Sequence, residues 1–268
     1  MTQAFTLGLA FVVGLLLGSF ANVVIHRLPR MVMGELPTDQ QDQSYNLCWP
    51  ASHCPHCNTP LKKRHLVPVL SYVFLQGRCA YCEHPIARTY PIIELSTACL
   101  WLASAWHWGV TPTGVSWALF ATVLLVLSVV DWQTTLLPDD LTQALLWMGL
   151  LASVCDWIAI SPTHAIWGAV AGYGSLWAVA TLFERFTGRQ GMGAGDFKLL
   201  AALGAWVGPV ALIPIVMFAS LSGAVVGLYL KWTQRLNEEG YIPFGPFLAL
   251  AGAVIAVMGT PFVLWTDG

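Results

Sequence analysis

Residues 117–131 read Trp-Ala-Leu-Phe-Ala-Thr-Val-Leu-Leu-Val-Leu-Ser-Val-Val-Asp, an apolar run that ends on a carboxylate. Residues 191–198 read Gly-Met-Gly-Ala-Gly-Asp-Phe-Lys, a glycine-rich loop that enters a second apolar segment at Asp196. Ionisable groups at membrane depth are costly, so they mark functional sites. The chemistry of the chain is therefore sought first at Asp131 and Asp196.

The rest of the chain shares this apolar character. Of 268 residues, 56% are hydrophobic and only 10% are charged, and the mean hydropathy is +0.65. A soluble domain carries about a quarter charged residues. These values predict an all-α polytopic membrane protein whose first partner is the lipid bilayer. A net charge of −2 excludes a basic nucleic-acid binder. Stretches near the ~20 residues a spanning helix needs fall at Ala4–Ile25, Ile92–Trp108, Gly114–Val130, Leu141–Ile158, Ala165–Phe183, Phe197–Val207, Val210–Leu230 and Phe244–Leu264. The expectation is about eight transmembrane helices. The sixth is short and cut off by Gly208-Pro209, so it is read as a half-length or tilted helix packed on protein. The first has no basic residue ahead of it and outruns a signal-peptide core, so it is read as uncleaved. Residues 1–26 are then the first helix, 27–90 a small loop domain, and 91–268 the transmembrane core.

Orientation follows from the basic residues. Arg27, Arg30, Lys62, Lys63, Arg64, Arg78 and Arg88 lie between the first two segments. Arg185, Arg189 and Lys198 lie between the fifth and sixth, and Lys231 and Arg235 between the seventh and eighth. All 12 Lys and Arg fall on alternate connections. Cytoplasmic loops carry that excess, which predicts a periplasmic N-terminus. Asp131 then ends the third helix, and Asp196 begins the sixth, at one cytoplasmic face. Asp139 and Asp140 are read as the cap and first turn of the fourth helix.

The loop holds Cys54-Pro55-His56-Cys57 and Cys79-Ala80-Tyr81-Cys82. Each pair can supply two thiolates to one tetrahedral zinc. The spacer of 21 residues is one beyond the usual range of roughly 15–20. Cys54, Cys57, Cys79 and Cys82 leave no open position, which implies a structural zinc and not a catalytic one. A redox-active thiol pair is the competing reading.

Two adjacent carboxyls can hydrolyse a peptide when one is ionised and one protonated. The first takes a proton from water, and the second donates to the carbonyl oxygen. The competing readings are a helix cap at Asp196, an interfacial acid at Asp131, or a proton-relaying transporter. Glu94 and Lys198 are candidate substrate-binding residues. A favourable helix first turn and a snorkelling cation are their structural alternatives. Asn22 and Arg27 are expected to order the turn after the first helix, and Gly8, Gly14 and Gly18 to allow close helix approach.

Several ordered motifs resemble those of bacterial type IV prepilin peptidases, membrane aspartic proteases that also serve type II secretion. They are Gly18-Ser19-Phe20-Ala21-Asn22-Val23-Val24 with Arg27-Leu28-Pro29, the two cysteine pairs, and Tyr90-Pro91-Ile92-Ile93-Glu94-Leu95. Asp131 with Pro138-Asp139, then Gly193-Ala194-Gly195-Asp196-Phe197-Lys198-Leu199-Leu200-Ala201, and Pro243-Phe244-Gly245-Pro246-Phe247 complete the set. The resemblance implies that Asp131 and Asp196 are the catalytic pair of an inner-membrane endopeptidase. It implies a prepilin or pseudopilin substrate with a basic leader, cut at the cytoplasmic face. It also implies N-methylation of the new terminus by S-adenosylmethionine, with no donor-binding residues assigned. Ahead of Tyr90 the chain departs from the family pattern, with Thr89 in the place of a basic residue and Arg88 displaced by one. Which pilin or secretion system is served, and the oligomeric state, are not readable from sequence.

Overall fold

The computed structural model describes residues 3–34, 45–189, 191–234 and 242–258. Helices account for every predicted apolar segment within them, and no strand occurs among the described residues. The chain divides into two compact units, Met1–Thr122 and Val123–Gly268. Arg235 and the last predicted segment beyond Met258 lie outside the described residues.

The first unit pairs α1 (Gln3–Met33) with α3 (Thr89–Trp108) and joins them through the cysteine loop, which carries the short α2 (Leu70–Phe74). Lipid tails offer no hydrophobic drive between helices, so this pair depends on close packing. A Cβ on Gly14 would lie 2.6 Å from the Ala98 Cα, and one on Gly18 would lie 2.7 Å from the Glu94 Cα. Both glycines are therefore at the contact, as expected, whereas Gly8 meets nothing within 4 Å. The first helix also runs on past the predicted Ile25, through Pro29 to Met33. Its emergent end is tied down. The Asn22 amide donates to the Tyr90 carbonyl at 3.1 Å. The buried Arg27 guanidinium donates to the carbonyls of Asn46 (3.0 Å) and Pro50 (2.7 Å).

The second unit contains α5 (Asp139–Val154), α6 (Pro162–Thr187), α7 (Ala194–Val207), α8 (Leu212–Trp232) and α9 (Gly245–Met258). The end of α4 (Pro112–Thr134) leads into it. Its core is α7, which is buried from Asp196 to Val207 except at Lys198 and packs on α5, α6, α8 and α9. At 1.5 Å per residue it spans about 21 Å, against about 30 Å for a bilayer core. The short sixth segment is thus an internal helix, stopped at Gly208 with φ +80°. The fully buried Trp206 donates to the Leu145 carbonyl at 2.8 Å and locks α7 to α5. On the other side, Gly168 and Gly172 of α6 face the α7 backbone at Gly204 and Leu200. That Gly-x-x-x-Gly contact was visible in the sequence and not singled out. The fourth predicted segment ends at Val154, before Ile158, because the chain turns through Asp156 at φ +55°. Length and apolar composition together qualify α1, α4, α6 and α8 to cross a bilayer, with α9 a shorter apolar helix.

Candidate active site

Asp131 stands in the last turn of α4 and is 4% exposed. Its Oδ2 accepts the Gly245 N–H at 2.9 Å. Gly245 is the first residue of α9. Its N–H is one of the helix-start donors with no partner inside the helix, and a helix N-terminus favours an anion. Glycine is required here by space. A Cβ at residue 245 would lie 2.6 Å from the Asp131 Oδ2 and 3.1 Å from the Leu137 Cδ2.

Asp196 is also 4% exposed. The N-cap of α7 is Gly193, so Asp196 occupies the third helical position and is not the cap considered from sequence. Its Oδ2 lies 4.0 Å from where a Cβ on Gly193 would stand. Leu137, in the connection from α4 to α5, packs against the glycine beside each acid. A Cβ on Gly195 would lie 2.7 Å from the Leu137 Cβ, while Leu137 also meets Gly245. Two carboxyls 65 positions apart in sequence are thus both buried, each next to a glycine that faces Leu137.

The neighbouring charges have defined partners. Lys198, two residues along α7, reaches Asp139 with its Nζ at 2.6 and 2.7 Å from the two carboxylate oxygens. Asp139 and Asp140 both occupy the first turn of α5; the N-cap is Pro138, not the expected Asp139. Glu94 belongs to the other unit. It is buried against Gly18, and its Oε2 accepts the Val69 N–H at 2.8 Å.

The four loop cysteines form one cluster, with all four Sγ atoms within 4.8 Å of one another. The Cys54 and Cys82 sulfurs are 3.8 Å apart. A tetrahedron with Zn–S of about 2.3 Å has S···S edges of about 3.8 Å, so the donor set fits zinc. The two halves are built alike. The Asn58 N–H reaches the Cys54 carbonyl, and the Glu83 N–H reaches that of Cys79. Asn58 and Glu83 both have positive φ, at 54° and 57°. Cys54 and Cys79 each donate forward, to the carbonyls of Thr59 and His84. The repeat Cys-x-x-Cys-x-x-Pro, at Cys54–Pro60 and Cys79–Pro85, encodes this and was read only as far as the cysteines. Hydrogen bonds from the Thr59 side chain and backbone lower the Cys57 thiol to about 6, and backbone hydrogen bonds from Cys82 and Tyr81 lower Cys79. Burial and the neighbouring Cys79, Cys57 and Cys54 thiols push Cys82 the other way, up to about 12, so Cys57 and Cys79 are the readiest to become the thiolates a metal requires.

Sequence reasoning assigned no role to Leu137, Gly245 or Val69. Gly245 lay within a recognised motif, but nothing in the sequence says that its N–H meets an acid 114 positions away.

Residues 12–108 match the family described as bacterial peptidase A24 N-terminal domain, and residues 118–228 match the type IV leader peptidase family. A protein of Burkholderia pseudomallei named prepilin leader peptidase/N-methyltransferase is 45% identical over 98% of this chain and 88% of its own length. Proteins of the same name from Stutzerimonas stutzeri and Aeromonas hydrophila are each 42% identical. They cover 93% and 96% of this chain, and 90% and 92% of their own lengths. No solved structure matches the chain. Across nearly its whole length, this chain belongs to the type IV leader peptidase family.

Proposed function

We propose that the chain is a membrane aspartic endopeptidase that removes the basic leader of a prepilin or pseudopilin and then N-methylates the exposed terminus. The observation that carries this is the burial of Asp131 and Asp196 at two helix ends, with Leu137 against the glycine beside each acid. In the reaction, the ionised carboxyl accepts a proton from water while its protonated neighbour donates to the scissile carbonyl oxygen. Two buried carboxyls that meet in one site share one proton, which supplies both forms at once. The Gly245 N–H holds Asp131 in position. Gly193, where a Cβ would meet nothing nearer than the Asp196 Oδ2 at 4.0 Å, leaves room for a substrate backbone beside Asp196. Lys198 and Asp139 brace the start of α7 against α5, keeping the second acid in register.

The cysteine cluster would hold zinc as a structural staple, since a small loop has little core of its own. Methylation follows cleavage because the amine does not exist until the leader leaves. S-adenosylmethionine supplies the methyl group, and none of the described residues is assigned to it. The basic loops support a site at the cytoplasmic side of the inner membrane and a periplasmic N-terminus.

The test is incubation of purified protein with a peptide bearing basic leader, Gly-Phe junction and apolar helix, followed by mass spectrometry. Loss of the leader, and gain of one methyl group only when S-adenosylmethionine is added, are expected. An intact peptide overturns the peptidase reading. Cleavage without methylation overturns the second activity alone.

A further inference from the structure

The cysteine loop exposes apolar side chains that a water-facing surface does not explain. Leu66 and Val67 precede α2, and Leu70, Val73 and Phe74 lie on it. Leu70, Val73 and Phe74 share one face of α2, and Leu66 and Val67 extend the exposed apolar run just before it. Leu70 is 56% exposed, Val73 64% and Phe74 83%. A contiguous exposed apolar patch of this kind marks an interaction surface.

Two independent observations identify what covers it. The first is position. The Val69 N–H is bound by Glu94, in the second turn of α3, and Glu94 is pressed on Gly18 of α1. Val69 adopts φ +59°, a backbone region that a β-branched residue enters only when its surroundings hold it there. The stripe is therefore fastened to two apolar helices at a level where Phe20, Ile92 and Leu95 still expose large apolar side chains. The second is charge. From Tyr45 to Cys82 there is no Asp or Glu, while Lys62, Lys63, Arg64 and Arg78 are all exposed. An apolar face rimmed by Lys and Arg is what an interfacial helix offers to anionic lipid.

We propose that the segment 66–74 lies in the headgroup boundary of the bilayer beside α1 and α3, with the basic rim on anionic lipid phosphates. The cysteine loop is then a membrane-seated platform and not a freely hanging domain. The alternative occupant is a substrate's apolar helix. Its basic leader would meet only like charge along this loop, which favours lipid. The proposal rests on α1, with α3 packed on it, being a bilayer helix and is independent of the peptidase chemistry.

The test uses full-length protein in nanodiscs of phosphatidylcholine, with and without anionic phosphatidylglycerol. A nitroxide is placed by keto-amino-acid incorporation at residue 73, 74 or 83, which leaves the cysteines untouched. Collision rates with oxygen, which partitions into lipid, and with a water-soluble nickel chelate give the depth. Probes at 73 and 74 should favour oxygen several-fold over the probe at 83, an exposed position on the cysteine knuckle. The preference should grow with phosphatidylglycerol and shrink when Lys62, Lys63 and Arg64 are changed to Glu. Probes at 73 and 74 as aqueous as that at 83 overturn the proposal. So does a probe that becomes shielded only when prepilin peptide is added. Leader cleavage measured in the same nanodiscs separates this failure from failure of the peptidase reading.

Discussion

Gly245→Ala isolates the geometry of the site without touching either acid. The added Cβ would lie 2.6 Å from the Asp131 Oδ2, about 0.8 Å inside the 3.4 Å at which ordinary contact begins. Leu137, at 3.1 Å, blocks one direction of escape. The carboxylate must therefore swing away from the Gly245 N–H, which now holds it at 2.9 Å. A displacement near 1 Å at a reacting group costs roughly 100-fold in rate, and overpacking a filled site costs about 1–3 kcal/mol of stability. The assay is leader cleavage by purified protein, with thermal unfolding and zinc content measured on the same samples. The expectation is kcat lower by about two orders of magnitude, KM little changed and zinc retained. Gly223→Ala is the control, since its Cβ would only reach the Phe247 ring at 3.4 Å. Gly245→Ala with activity close to the wild type, or no more impaired than Gly223→Ala, refutes the positioning role of α9.

The remaining predictions concern the supports around the site. Cys54→Ser or Cys79→Ser should release zinc and make the loop sensitive to protease, whereas metal analysis finding none in the wild type removes the structural-site assignment. Lys198→Ala and Asp139→Ala should couple by less than about 1 kcal/mol in stability, because the pair is partly exposed. Exchanging the two charges should restore cleavage lost in either single variant, and no restoration gives Lys198 a role on substrate instead. Glu94→Ala leaves the Val69 N–H without its acceptor and should cost about 1–3 kcal/mol. Glu94→Gln, which keeps an oxygen there, should not, and equal losses in both would point to the charge.

Legibility in the sequence followed the length scale of each interaction. The apolar segments were readable because lipid imposes a long, uniform pattern. The brevity of α7 showed in Gly208-Pro209, and its burial followed, since a helix too short for the bilayer packs on protein. The cysteine cluster was readable because each pair of thiols is held close by local sequence spacing, the spacing a tetrahedral metal site asks for. What stayed hidden was long-range and backbone-borne. Gly245 meets Asp131 through an N–H that every non-proline residue carries, so no side chain announces it. Likewise, Lys198 and Asp139 are ordinary surface charges until α5 and α7 are placed side by side. The φ of Val69 has no sequence signature at all, since valine is the last residue one would assign to that region.

That Asp131 and Asp196 work as one unit is tested most directly by leader-cleavage rates of Asp131→Asn, Asp196→Asn and the double variant, all confirmed as membrane-inserted and zinc-loaded. Residues that act together are strongly non-additive. Each single change should reduce cleavage to background, and the double change should do no further harm. Substantial cleavage by either single variant, or penalties that multiply in the double, would contradict the shared-proton pair.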